Sequence, residues 1–487
     1  MRGFLASSIG VTCAAALALP LGPPAVAAAN SVAEPTTGRT VRSEAHVPGS
    51  TQSLPLAPLT HDRAPGAAEQ GVPRRDVRRF SLVGVVWDNP ETDLHGHVQV
   101  RTRATATGAW SGWRELETHN ADHAADPGTP ESVSGRVRGA TAPLWVGESD
   151  GVEVRVRAER IPEATETTEA AKAAEVIEAA EVTEATEATE ATEATEATEM
   201  TVATGATEPT EAAPAAASPL PTGMRLELVD PGRAAPPAAA IGPEEGPRTT
   251  AMTAESGKAV AASAVNTRLA PLGATEIPAA EQRAKPYVGP RPGITTRRGW
   301  GADESLRERK FVYTKKIKAA FVHHSATGNN YTCKQAPSVI RSIYRYHVNS
   351  MGWRDIGYNF VVDKCGKIYE GRAGGVSKAV LGAHTLGFNS NSMGIAVLGT
   401  YGSKKPSSAA VKAVARLTAW KLGLNGMNPR GKTYLKSGGG NLYRKGKNVR
   451  LNVISGHRDG FATSCPGKKL YGKLGTTRST AAKYQGR

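Results

Sequence analysis

The sequence predicts a multidomain chain: a small all-β sandwich toward the N-terminus, a C-terminal α/β domain with a mixed sheet flanked by helices, and long disordered linkers. Three observations predict it. Short runs at 82–87, 98–103, 152–157 and 224–229 alternate or cluster β-branched and apolar residues between Gly and Pro turns, as the strands of a sandwich do. Beyond residue 297, two segments of helical period are interleaved with short apolar runs, which favours helices packed on a mixed sheet. Elsewhere Ala, Gly, Pro and Thr dominate stretches with no apolar period, and such stretches cannot bury a core. A length of 487 residues allows two or three domains.

Taken in order, residues 1–29 read as an export signal: Arg2 begins it, an Ala-rich apolar run follows over 4–21, and Ala25-Val26-Ala27 or Ala27-Ala28-Ala29 offers small residues for cleavage. Pro20, Pro23 and Pro24 break the run early, against a permanent membrane anchor, and no other apolar run is long enough to span a bilayer. Residues 30–77 read as a disordered leader, and 78–231 as the β domain. Within it, His95 and His97 form an H-x-H pair that suits either a metal or an exposed strand; no third ligand is in view, which favours the strand. Trp110 and Trp113 suit sugar stacking or a sandwich core equally.

Over 163–199 an acidic residue recurs at every third position, broken once by Lys172. A period of three drifts around a helix without making an apolar face, so the repeat, bounded at 162–218, is expected to be extended and disordered. Because Met224-Arg225-Leu226-Glu227-Leu228-Val229 alternates like one more strand, the repeat is read as an insertion within the β domain. Residues 232–296 read as a second linker.

The last region, 297–487, carries the chemistry. Residues 319–323 make a short strand with His323 at its end. Pro337 opens a helix on which Val339, Ile340, Ile343, Tyr344 and His347 share a face. Residues 358–363 and 367–370 form a hairpin turning at Cys365-Gly366; 394–399 suits a central strand; 408–422 is a second helix; 449–455 is a strand delivering His457. The basic stretch 425–450 reads as an inserted flap. The net charge of +15 hides an asymmetry, since this region alone holds about 35 Lys and Arg against about 7 Asp and Glu. Such a surface attracts a polyanion.

Phe321-Val322-His323-His324-Ser325 and Gly456-His457-Arg458-Asp459-Gly460-Phe461-Ala462-Thr463-Ser464-Cys465-Pro466 together offer two imidazoles and a thiolate, which is the pattern of a zinc site with an open fourth position. With Arg298-Gly299-Trp300-Gly301-Ala302, Gly352-Trp353-Arg354-Asp355-Ile356-Gly357-Tyr358-Asn359-Phe360 and the segment 382–394, all in one order, the region resembles the peptidoglycan recognition proteins, the zinc N-acetylmuramoyl-L-alanine amidases related to phage lysozyme-type amidases. The resemblance implies that His323, His457 and Cys465 bind Zn2+ and that Tyr358 acts beside the reacting water. Thr463, expected to assist Tyr358 in catalysis, stands where the phage-type enzymes carry a lysine. It supplies no full positive charge, so more of the oxyanion stabilisation falls on the ion. His384, Asn389 and Ser392 are expected to contact substrate along the groove. His324 and His347 are expected to pack inside.

With Cys465 assigned to zinc and Cys13 in the export signal, Cys333 and Cys365 remain; in an exported protein they are expected to pair, the alternative being two free thiols. The resemblance thus implies a hydrolase that acts on peptidoglycan; the N-terminal signal makes it secreted or wall-associated, and the basic surface suits anionic cell-wall polymers. The alternative is a non-catalytic peptidoglycan receptor of the same fold. In the family such receptors lose the cysteine ligand, whereas Cys465 is present. A nucleic-acid binder fits the charge but not the export signal.

Overall fold

The computed structural model describes residues 49–59, 69–118, 120–159, 218–232 and 287–487. The expected export signal, 1–29, and the acidic repeat over 163–199 lie outside these residues.

Eight strands form one antiparallel sheet in the N-terminal half: β1 (Ser50–Pro55), β2 (Ala57–Pro58), β3 (Glu69–Trp87), β4 (Gly96–Ala104), β5 (Arg114–Leu116), β6 (Gly139–Ala140), β7 (Leu144–Ala158) and β8 (Arg225–Asp230). The spatial order is β1-β8-β3-β7-β4-β5, with β2 and β6 pairing onto β3. Where the sequence suggested a sandwich of short strands, the hydrogen bonding joins all of them into a single sheet. The run 152–157 is the latter part of one long strand that begins at Leu144. β3 and β7 bend past each other through register shifts at Val72/Arg75, Asp76/Phe80 and Phe80/Leu82, and such irregularities let one long strand turn across a core.

The expected leader needs correction: residues 50–58 and 69–77 belong to this sheet. β1 carries little apolar signal of its own and is fixed by its partner, Leu54 standing opposite Leu226. β8 pairs with β3 as well, so the strand after the repeat lies in the same sheet as those before it. Ser218 N donates to Glu159 O at 2.9 Å, which brings the two ends of the insertion together. His95 and His97 are exposed, and His97 Nδ1 lies 2.6 Å from Glu115 Oε1. Trp110 and Trp113 are half-buried under guanidinium groups: Arg74 lies 4.1 Å from the Trp110 ring centre, and Arg155 4.1 Å from that of Trp113.

The C-terminal half is built on a six-stranded mixed sheet: β9 (Ile294–Thr295), β10 (Ala319–His324), β11 (Phe360–Val362), β12 (Ile368–Glu370), β13 (Ser392–Val397) and β16 (Ile454–Gly456), in the order β16-β10-β13-β11-β12-β9. β10 and β13 run parallel at the centre and are buried along their whole length, which is why their sequences read as continuous apolar runs rather than alternating ones. Side chains nevertheless alternate between faces. Val361, Ala396 and Leu398 pack with α2 (Ala336–Arg345). Phe360, Val362, Ile395 and Val397 pack with α3 (Ser408–Leu424) and α5 (Leu474–Tyr484). Two short helices, α1 (Arg297–Trp300) and α4 (Lys468–Tyr471), complete this half. Cys333 and Cys365 are joined by a disulfide, tying the start of α2 to the β11–β12 turn.

The expected strand 449–455 is two elements. β15 (Asn448–Asn452) pairs with β14 (Lys432–Lys436), and only β16 joins the main sheet. Between them Val453 N donates to Gly431 O, which turns the chain. The basic stretch is therefore an anchored hairpin rather than a flap: Leu435, Val449 and Leu451 are buried against Ala319, Phe321 and Phe388.

The two halves pack on each other, and all the described residues fall within one compact unit, His46–Arg487. Leu82, Val86, Trp145 and Val229 share a core with Ile340, Tyr344 and Tyr346. Tyr346 OH donates to Thr141 O at 3.0 Å, and Ser350 Oγ donates to Glu227 Oε2 at 2.8 Å. Gly84 is required at this seam, because a Cβ there would lie 2.3 Å from the Tyr346 hydroxyl. Among the described residues no helix is long and apolar enough to cross a membrane.

Candidate metal centre

Ala319, Phe321 and His323 share one face of β10, so the strand carries His323 to the sheet's C-terminal edge. β16 runs parallel beside it and ends one residue before His457, which opens a short helical turn, His457–Asp459. The chain then loops back so that Cys465 O accepts from Arg458 N at 3.1 Å, which brings the thiol under both imidazoles. The rings of His323 and His457 lie 4.5 Å apart, and Cys465 Sγ is 3.8 Å from His323 Nδ1.

A fourth donor joins them. His123, on a short turn (Ala121–His123) in the loop between β5 and β6, places its Nε2 3.7 Å from Cys465 Sγ. One ligand atom from each of His123, His323, His457 and Cys465 lies within 4.8 Å of the others, and all four residues are buried. Zinc bonds of about 2.0–2.1 Å to nitrogen and 2.3 Å to sulfur imply tetrahedral ligand separations of about 3.3–3.6 Å. The two sulfur–nitrogen distances, 3.7 and 3.8 Å, stand one to two tenths of an ångström above that range.

The outer contacts of the rings support the same fit. His457 Nε2 donates to Asp122 O at 3.1 Å, which leaves Nδ1 buried, without a hydrogen-bond partner and free to ligate. His123 Nδ1 pairs with Asp122 Oδ1 at 2.7 Å, so its Nε2 lone pair faces the thiol. His323 Nε2 lies 3.4 Å from Thr385 Oγ1, and its Nδ1 faces the thiol. A partner on the second nitrogen of each imidazole is how metal-bound histidines are usually oriented. Burial, reinforced for His323 by the neighbouring imidazoles, pushes His323 well below its ordinary pKa; burial brings His457 down to about 3. Both rings are therefore neutral, the form that ligates. Burial raises the Cys465 thiol; a bound cation reverses that by favouring the thiolate. For Asp122, burial acts upward but the imidazoles of His123 and His457 outweigh it, holding the carboxyl well below the usual range.

Tyr358 is buried, its ring centre 5.5 Å from that of His323 and 5.8 Å from that of His123. Burial pushes its phenol well above 10, so it is a neutral donor at the site. The loop holding it is fixed from behind, where His347 Nδ1 accepts from Gly357 N at 3.1 Å and the His347 ring stacks 4.6 Å from Trp353. Thr463 Oγ1 accepts from Cys465 N at 3.2 Å, shaping the cysteine turn.

The groove residues are placed differently from expectation. His384 is fully buried, with Nδ1 3.0 Å from Thr385 Oγ1 and Nε2 3.3 Å from Ser392 Oγ. Ser392 Oγ also donates to Phe388 O. Both therefore lie beneath the site rather than along an open groove, because β13 begins at Ser392 and runs into the core. Asn389 is buried as well: its Oδ1 accepts from His384 N at 2.7 Å and from Thr385 N at 3.1 Å, and its amide donates to Ala124 O at 2.9 Å and to Asp126 Oδ1 at 2.7 Å. Beside it a cavity of about 530 Å³ remains open, lined by Thr129, Glu131, Phe311, Arg354 and Arg372 among others. His324 packs with Nδ1 accepting from Tyr401 N at 3.4 Å. The sequence reading missed His123 and Asp122; its only local sign was the Asp122-His123 doublet between strands.

Residues 313–468 match the family described as N-acetylmuramoyl-L-alanine amidase, and residues 36–219 match one described as N-terminal galactose-binding domain-like. The chain is 29% identical to peptidoglycan-recognition protein SC2 of Drosophila simulans over 185 residues, 38% of this chain and 85% of that one. It is 33% identical to peptidoglycan-recognition protein SC1a of Drosophila melanogaster over 158 residues, 32% of this chain and 72% of that one. With the Homo sapiens N-acetylmuramoyl-L-alanine amidase it shares 32% identity over 192 residues, 38% of this chain but 28% of the human protein.

Proposed function

Since the chain belongs to the family of peptidoglycan-recognition proteins and N-acetylmuramoyl-L-alanine amidases, we propose that it is a zinc-dependent N-acetylmuramoyl-L-alanine amidase, exported by its first 29 residues and acting on cell-wall peptidoglycan. The observation that carries this reading is the convergence of His323, His457, Cys465 and Tyr358 on one point at the edge of the sheet.

Zinc, when bound, supplies Lewis acidity toward an amide carbonyl and acidifies water to near neutral pH. The chain's own contribution is to hold His323 and His457 neutral by burial and to fix the His323 ring through Thr385. Tyr358, kept protonated by burial, donates a hydrogen bond toward the reacting amide. Thr463 stabilises the turn that presents Cys465. The net reaction adds water across the amide between the lactyl group of muramic acid and the first alanine of the stem peptide. It releases a lactyl carboxyl and a free alanine amine. The basic surface after residue 297 suits anionic wall polymers.

One observation favours the second reading, peptidoglycan binding without hydrolysis: four protein donors around a metal is the closed, structural pattern. Metal analysis combined with mass spectrometry of digested peptidoglycan separates the two. The amidase reading expects about one zinc per chain, lost in Cys465→Ser and His457→Ala, and cleaved lactyl–alanine linkages. Intact linkages after digestion by both the zinc-loaded full chain and its His123→Ala variant would overturn it.

A further inference from the structure

The described residues of the loop joining β5 to β6, 117–118 and 120–138, contain one short helical turn and otherwise no regular structure. Unstructured connections longer than about 12–15 residues inside a compact body are usually functional. We propose that this loop is a built-in plug: His123 is a fourth ligand that closes the position a hydrolytic metal site must keep open, and residues 122–126 occupy the rim where a stem peptide would lie. The chain then rests closed and acts only when the loop withdraws. This rests on the amidase reading above.

The loop is fitted to the site at three depths. At the metal, His123 completes the donor set, and Asp122 orients two of the three imidazoles, one through its carboxylate and one through its carbonyl. At the rim, Asp122 O accepts from Leu386 N at 2.9 Å, and Asp126 Oδ1 accepts from Gly387 N at 2.9 Å and from Asn389 Nδ2 at 2.7 Å. Farther out, Glu131 makes a buried two-pronged pair with Arg372 at 2.9 and 2.8 Å and accepts from Arg354 N at 3.2 Å. On the other side Glu117 accepts from Ser464 Oγ at 2.9 Å.

The character of these contacts separates the loop from the sheet that carries it. The sheet docks through an apolar core, Leu82, Val86, Trp145 and Val229 against α2 and Tyr346. The loop docks mainly through hydrogen bonds and charge pairs, which water can replace at small net cost, and adds only Ala125 and Val137 to the apolar cluster. Withdrawal of the loop therefore requires no separation of the two halves. It leaves three donors and a vacant fourth position, which is the catalytic pattern.

The test uses the full-length chain loaded with cobalt(II) in place of zinc, titrated with acetohydroxamate as a small metal-binding probe while the visible absorption is followed. The wild-type chain is expected to show little change. His123→Ala is expected to retain cobalt, to respond to the probe, and in its zinc form to hydrolyse muropeptides on the order of 10- to 100-fold faster than wild type. Asp126→Ala, which contacts only the rim, is expected to move both readouts the same way by a smaller factor, and it serves if His123→Ala does not fold. Equal probe binding by wild type and both variants would overturn the plug, as would loss of cobalt from folded His123→Ala. If the probe enters only the variants yet none hydrolyses muropeptides, the plug stands and the amidase reading falls. If wild type hydrolyses as fast as the variants, the plug falls and the amidase reading stands.

Discussion

Tyr358 and Cys465 separate two ways of failing. Cys465 is one of three donors left once the loop is open, and two donors hold a metal far less well. Cys465→Ser is therefore expected to lose both zinc and hydrolysis. Tyr358→Phe removes one hydroxyl and no donor, so zinc content should stay near that of wild type while kcat falls on the order of 10²-fold or more, as when a transition-state hydrogen bond is deleted. Metal analysis of the same preparation used for kinetics checks this; zinc loss in Tyr358→Phe would make the tyrosine structural. His323, His457, Cys465 and Tyr358 were legible because each sits in a segment that reads locally, a strand end or a short signature. His123 was not, because nothing in 117–138 has periodicity. Its role exists only through contact with residues some two hundred to three hundred and forty positions away. His384 and Ser392 were misplaced for the converse reason, since segment similarity says which residues are near the site but not which side of the backbone they occupy.

Elements defined by local pattern were read correctly, and elements defined by a distant partner were not. β10, α2, the β11–β12 hairpin and α3 show their own period. β1 has one buried-side leucine and depends on β8, and the β14–β15 hairpin is polar on most positions because only Leu435, Val449 and Leu451 turn inward. If that hairpin is anchored, Leu435→Ala should cost about 2–5 kcal/mol, the usual range for a buried leucine. A thermal or urea melt of the purified chain would show it, and an unchanged midpoint would restore the flap. The disulfide between Cys333 and Cys365 closes a separation of 32 residues, which the chain-entropy account values at roughly 3–4 kcal/mol. The double variant Cys333→Ser with Cys365→Ser is expected to melt earlier by that amount, with the metal site intact once folded; no shift would mean the native packing alone fixes α2 against the hairpin.

At the scale of the whole molecule, the sequence suggested domains joined by linkers, whereas the two halves share a core and together form the cluster of His123, His323, His457 and Cys465. The outer clasp is Glu131 with Arg372. Burial acts to raise the Glu131 carboxyl, but the charge and hydrogen bonds of Arg372, with help from Arg354, hold it below its ordinary value of 4.5. A carboxylate with a depressed pKa in the folded state contributes stability that is complete above its unfolded pKa and is lost as pH falls through the folded one. Closure is therefore expected to be insensitive to pH from neutrality down to about 4.5 and to weaken below it. Hydrogen exchange of residues 122–131 across that window, wild type against Glu131→Gln, would check this. The variant should exchange faster at neutral pH and lose most of the difference in acid. Identical profiles would show that the pair does not hold the loop.

The measurement that bears most directly on the central claim is mass spectrometry of peptidoglycan digested by the zinc-loaded His123→Ala chain, in which the fourth position is open by construction. The amidase account predicts stem peptides with a free alanine amine together with glycan strands bearing a free lactyl carboxyl, both absent when Cys465→Ser is added. Zinc bound at one per chain with every lactyl–alanine linkage intact would contradict it.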